Sequence, residues 1–185
     1  PFGVDTSAQG AWKQEWHKAF ALLDPHHLVI ATLRRGISVV DLRQGTTADR
    51  SFKDAPELRG MEDVVATPDG SIYGITRNDG IVRMRYSDGT LNDIAVFEDR
   101  SERGNYQSAV ADEDGTLWIS STADLVRFDP EDSSFTRYDV RDGMPSLGAD
   151  ALALDSGGTY LNRVSPWHRF DLQRLALRPP PRRLY

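Results

Sequence analysis

The sequence predicts an all-β protein, a β-propeller of four-stranded antiparallel blades with about four blades present. Two observations carry that prediction. The first is a repeat: a short turn leads into an apolar strand four times, in worn form at 22–32 and then at 64–76, 109–121 and 151–161. With Leu28, Ile72, Leu117 and Tyr160 taken as equivalent, the steps are 44, 45 and 43 residues. A period in the forties built from strands is the signature of propeller blades. The second observation is the pattern inside one repeat, which alternates with period two between turn signals.

The repeat at 108–146 justifies its elements in order. An inner strand over 108–111 enters the turn Asp112-Glu113-Asp114-Gly115, where glycine accepts the positive φ of a tight hairpin. The second strand, 117–120, is apolar and carries Trp118. The third, 125–129, alternates and stops at Pro130, which cannot donate to a ladder. The fourth, 135–140, alternates again, and the loop 141–146 crosses to the next inner strand. An aromatic at the second-strand position is read as recurring in Tyr73 and Tyr160, which points to packing between blades. The repeats divide the chain into blades near 21–60, 61–105, 106–148 and 149–177. A segment over 1–20 precedes them and a Pro/Arg-rich segment over 178–185 follows. In the first segment, Trp12, Trp16 and Phe20 fall at i, i+4 and i+8, which suits either a short amphipathic helix or the remnant strand of another blade.

The string Asp-x-Asp-Gly-x-Leu-Trp-Ile, then Leu-x-Arg-Phe-Asp-Pro, Phe-Thr-x-Tyr and Asp-Gly-Met-Pro-Ser resembles the two-component regulator propeller repeat. The likeness is close over 108–146 and fair over 62–97. That family supplies extracytoplasmic sensor domains of bacterial hybrid histidine kinases and of some diguanylate cyclases. The resemblance implies a periplasmic or extracytoplasmic, non-catalytic, ligand-sensing role in signal transduction. Its propellers usually have about seven blades, so the chain is expected to be a fragment of a larger propeller. The chain departs from the family pattern at Ser120-Ser121, at Met84-Arg85-Tyr86 and in the first repeat, which lacks the Asp-Gly turn.

Composition narrows the function classes. The chain has 185 residues, no cysteine and a formal net charge of −6. Disulfides, thiolate metal sites and cysteine nucleophiles are thereby excluded. The negative charge argues against a nucleic-acid partner. No apolar run approaches the roughly 20 residues that span a bilayer. Asp112-x-Asp114-Gly115 opens like a calcium loop, but position twelve is Ala123, so the aspartates are read as turn formers. His26 and His27 are adjacent and point to opposite faces of a strand, so a metal site is not expected.

The candidate site lies in the turns between second and third strands, which share one face with the crossover loops. Arg34, Arg35, Arg77, Thr122 and the stretch beginning at Arg163 occupy those turns, and Arg59, Tyr106 and Gln107 lie in the crossovers. Arg34, Arg59, Arg77, Tyr106, Gln107 and Arg163 are the candidate ligand-binding set. Planar guanidinium forks there suit a carboxylate or sulfate, hence a small anionic or saccharide ligand. No cofactor is expected. One alternative is a lactonase-like propeller hydrolase or lyase with a metal at the funnel, drawing on Glu62, Asp63, Gln107 and Asp150. Another is a protein-interaction scaffold that self-associates through exposed blade edges.

Overall fold

Short alternating segments closed by Asp-Gly or Asx turns leave the backbone few options but hairpins, and hairpins are what form. The computed structural model describes residues 17–32, 36–51, 53–77, 80–99, 105–142, 144, 151–154, 159–162 and 168–171. The first antiparallel sheet is β1 (His17–Asp24), β2 (His27–Thr32), β3 (Gly36–Asp41) and β4 (Thr47–Ser51). The second is β5 (Met61–Ala66), β6 (Ser71–Thr76), β7 (Ile81–Ser87) and β8 (Thr90–Phe97). The third is β9 (Tyr106–Ala111), β10 (Leu117–Ser121), β11 (Leu125–Asp129) and β12 (Ser134–Tyr138). A fourth sheet comprises β13 (Leu152–Leu154), β14 (Thr159–Asn162) and β15 (His168–Asp171). Each sheet pairs in sequence order, and inner strand packs on inner strand from β1 to β5 to β9 to β13. These are the up-and-down blades of a β-propeller.

The hairpin turns explain why the first repeat folds without its Asp-Gly pair. Asp112 Oδ1 accepts the backbone N–H of Asp114 at 3.1 Å and of Thr116 at 2.9 Å. Asp69 Oδ1 accepts that of Ser71 at 3.1 Å. In the worn repeat, Asp24 Oδ1 accepts the N–H groups of His26 at 2.7 Å and His27 at 3.0 Å. In each of these three turns an aspartate carboxylate therefore caps backbone N–H groups, with or without a glycine beside it. His27 Nδ1 lies 2.7 Å from Asp24 Oδ2 and is committed to that turn.

Alternation sorts each of the first three blades into two faces, and both are apolar. One cluster joins Ala19, Ala21, Leu23, Val29 and Ile37 of the first blade to Val64, Ile72, Val82 and Met84 of the second. A second joins Val65, Tyr73, Ile75 and Ile81 to Ala109, Leu117, Ile119, Val126 and Phe128 of the third. A third sets Trp118, Leu125, Tyr138 and Val110 against Leu152 and Leu154 of the fourth. Hence β6 and β10 are buried along their whole length, as strands covered on both sides must be. Trp118 and Tyr73 are both buried between blades.

The register corrects one equivalence. Tyr160 pairs with Leu154 as Leu117 pairs with Ala111, so Tyr160 is the counterpart of Leu117. The counterpart of Trp118 is Leu161, one residue on, and a one-residue slip reverses the face. Phe20 lies in β1, which begins at His17, while Trp12, Trp16, Asp150 and the 178–185 segment lie outside the described residues.

Glycine substitutions should separate turn strain from steric blockage. Gly70 has φ +80° and open space around its missing Cβ, so Gly70→Ala should cost only the left-handed penalty of about 1 kcal/mol. Gly80 has φ +94°, and a Cβ there would sit 2.3 Å from the backbone oxygen of Phe97. Urea unfolding should show Gly80→Ala to be distinctly the more damaging of the two.

Candidate functional site

One irregularity recurs in the inner strands. Pairing runs from His17–Thr32 to Ala19–Ala31, from Met61–Thr76 to Asp63–Ile75, and from Tyr106–Ser121 to Ser108–Ser120. Each step skips one residue of the inner strand: Lys18, Glu62 and Gln107. These β-bulges sit at equivalent positions in three blades, and a bulge takes a residue out of the alternation and re-aims its side chain.

The bulged residues meet across blades. Glu62, nearly enclosed, accepts Lys18 Nζ at 2.6 Å on Oε2. Its other oxygen accepts Arg77 Nε at 2.8 Å and lies 2.5 Å from Arg77 Nη2. Arg77 remains half exposed and Lys18 partly so. Among the described residues, one carboxylate thus holds two cations. The backbone N–H of Arg77 donates to the carbonyl of Gly60 at 3.0 Å, which brings the turn of the second blade against the crossover carrying Arg59. Arg59 is exposed. The third blade repeats that bond between Thr122 N–H and the Asn105 carbonyl, also at 3.0 Å.

The residue after each bulge serves the architecture instead. Asp63 Oδ2 accepts the Ala109 N–H at 2.8 Å from the next blade, and Oδ1 accepts that of Val64 at 2.8 Å. Ser108, its counterpart, accepts the Leu152 N–H on Oγ at 3.3 Å from the blade after. Burial pushes the Asp63 carboxyl above its ordinary value, against the pull of its bonds from Ala109, Ser108 and Val64.

Of the residues expected at the site, Arg59 and Arg77 share one rim, and Gln107 lies half-buried at the equivalent bulge. Tyr106 is buried and donates its hydroxyl to Asp99 Oδ2 at 2.6 Å. Burial, reinforced by that bond, raises its phenol. Arg34 and Arg163 lie outside the described residues. Lys18 escaped sequence reasoning, although it stands one repeat period before Glu62 and so at the same blade position.

A second cluster locks the second blade to the third. Arg137 Nη1 donates to both oxygens of Asp124 at 2.6 Å, and Nη2 bonds to Asp99 Oδ2. All three side chains are buried. Ser121 Oγ donates to Asp124 Oδ1 at 2.6 Å. Burial opposes the Arg137 charge, but Asp124 and Asp99 outweigh it and raise the guanidinium further. Among the described residues, no group of three or more His, Asp or Glu could hold a metal ion.

Fold and site together define a β-propeller domain with a cationic rim. No protein-family model matches the chain, and no curated protein matches it. Solved structures do. The extracellular domain of a hybrid two-component system, BT4673 from B. thetaiotaomicron, is 20% identical with a TM-score of 0.59. That match covers 79% of this chain and 19% of the other, so the chain spans about a fifth of that domain's length. Virginiamycin B lyase from Staphylococcus aureus, solved with quinupristin, is 14% identical with a TM-score of 0.61, over 79% of this chain and 48% of the lyase. An auxiliary nutrient binding protein from Bacteroides thetaiotaomicron is 11% identical with a TM-score of 0.63, over 85% of this chain and 39% of the other. At these identities the likeness is one of fold.

Arg137→Met strands two buried carboxylates and should cost about 3–5 kcal/mol in urea unfolding. Arg141→Met, which breaks the exposed Arg141–Asp139 pair, should change stability little. Asp63 carries the opposite pH signature to a paired surface carboxylate. Its raised value means that its stabilisation is full below the ordinary aspartate range and fades as pH rises through the folded-state value. Asp63→Asn removes that titration, so the stability of the variant relative to the parent should rise as pH increases above the ordinary aspartate value of about 4. A difference independent of pH would show that Asp63 does not titrate differently on folding.

Proposed function

We propose that the chain is a ligand-sensing propeller domain of a bacterial signal-transduction receptor, set outside the cytoplasm and not itself catalytic. Its ligand is a small anion or acidic saccharide held at the rim around Arg77 and Arg59. The observation that carries this reading is the ratio at Glu62. One buried carboxylate positions Lys18 and Arg77 at a rim of a chain whose net charge is −6. Guanidinium nitrogens not occupied by Glu62 present a planar donor edge suited to carboxylate or sulfate. The repeat's resemblance to two-component regulator propellers supports the receptor context, and the fold likeness to BT4673 supports the extracellular setting. Binding would act by favouring one of two arrangements of the receptor.

The fold likeness to virginiamycin B lyase keeps one other reading in play, a propeller lyase or hydrolase using a metal at the funnel. The two separate in a single set of titrations. Calorimetry with glucuronate and with sulfate at low ionic strength should give binding that weakens as salt is added. Arg77→Ala should weaken it about tenfold or more, the worth of a charge-assisted hydrogen bond. Arg85→Ala, beside the Asp69 turn at the other end of the sheet, should leave it unchanged. Absence of anion binding, with thermal stabilisation by calcium, magnesium or zinc instead, would overturn the sensor reading in favour of the enzyme.

A further inference from the structure

The bulge that frees Glu62 to hold two cations has a counterpart one blade on whose side chain holds nothing. Gln107 is skipped in the pairing of β9 with β10, as Glu62 is skipped in that of β5 with β6. It is half-buried, and its amide has no hydrogen-bond partner among the described residues. The third blade brings no cation to this bulge either. The counterpart of Arg77 there is Thr122, whose Oγ1 accepts the Asn105 N–H at 3.1 Å. Glu62 and Gln107 are held near one another by their neighbours, since β5 packs on β9. Asp63 Oδ2 accepts the Ala109 N–H at 2.8 Å, which ties the residue after Glu62 to the second residue after Gln107. Side chains at these positions can span one blade step. Lys18 Nζ crosses from the first blade to the second and meets Glu62 at 2.6 Å. Gln107 stands one such step beyond Glu62, on the third blade. A molecule seated on the outer edge of Arg77, which is half exposed, therefore has an unoccupied amide one blade away.

We propose that Gln107 is a specificity-determining residue of this rim and that the ligand is a hydroxy acid. Arg77 holds its anionic group, and the Gln107 amide holds a hydroxyl farther along the same molecule. This rests on the anion site proposed above and narrows what that site takes. A primary amide carries both donors and an acceptor, so it meets a hydroxyl in either sense. Being neutral, it adds nothing to the pull on the anionic group. A simple anion such as sulfate leaves the amide to water, whereas a hydroxy acid uses it. A site that hydrogen-bonds a hydroxyl disfavours the analogue that lacks it.

Calorimetry on the purified chain with glucuronate and with cyclohexanecarboxylate compares one ring acid with and without hydroxyls. The parent should bind glucuronate about three- to tenfold more tightly, the worth of one hydrogen bond. In Gln107→Leu that ratio should fall to about one, through weaker binding of glucuronate. Arg77→Ala should instead weaken both acids. If the leucine variant does not fold, Gln107→Ala decides, because the equivalent bulges already accept lysine and glutamate. Equal or reversed affinities in the parent, or a preference that survives loss of the amide, overturn the assignment of Gln107 and leave the anion site standing. Absence of binding by both acids overturns the anion site and the assignment together.

Discussion

Burial of both faces of the second and third blades is the constraint on which the rest depends. A single four-stranded sheet with Ile72 and Met84 on one side and Tyr73 and Ile81 on the other cannot be stable in water. Each blade is therefore a stable object only as a member of a stack. Stability resides in the joints, where Trp118, Phe128 and Tyr73 occupy space between sheets, and the turns merely set the pitch of the repeat. On the face of β1 turned away from the second blade, Phe20 and Leu22 are exposed.

The bulge separates two roles within two adjacent residues. Asp63 and Ser108 stay in the alternation and accept backbone N–H groups from the following blade, so their chemistry is constrained to a hydrogen-bond acceptor. Lys18, Glu62 and Gln107 are released from it, and their identities differ among these three repeats. A position whose backbone role is met by its neighbour can carry a cation, an anion or an amide without disturbing the stack. That is how a repetitive scaffold acquires a rim that is not repetitive.

Much of the fold was legible because it depends on local rules. The Asp112 turn, the alternation of β11 and the stop at Pro130 are each decided within a few residues. The alignment of Tyr160 with Leu117 by the repeat holds, but its reading as the recurring aromatic does not: pairing with Leu154 puts Tyr160 one residue before the Trp118 position. Half of the rim was legible too, since turns rich in arginine announce themselves. Its organising carboxylate was not. Glu62 was visible as an inner-strand acid, but its hold on Lys18 joins residues 44 apart and arises from bulges that leave no local mark. The Asp99–Arg137–Asp124 lock was hidden likewise, because Asp99 belongs to one repeat and Arg137 to the next.

The geometry of the rim also bears on how occupancy could be transmitted. Lys18 belongs to the first blade, and Glu62 and Arg77 to the second, so the shared carboxylate is an electrostatic tie between two sheets. An anion arriving at the cations competes with Glu62 for the same donors. Two responses are open to the buried carboxylate. It can keep both partners while the anion binds their outer edges, or it can yield one and be left with less compensation in an enclosed site. The second response loosens the tie between blades one and two and costs binding energy; the first leaves it in place. Because Asp63, the adjacent residue, bonds to the third blade, a shift of the Glu62 backbone is felt at that joint as well. Coupling between ligand and blade arrangement therefore needs no moving domain, only a carboxylate whose partners belong to different blades.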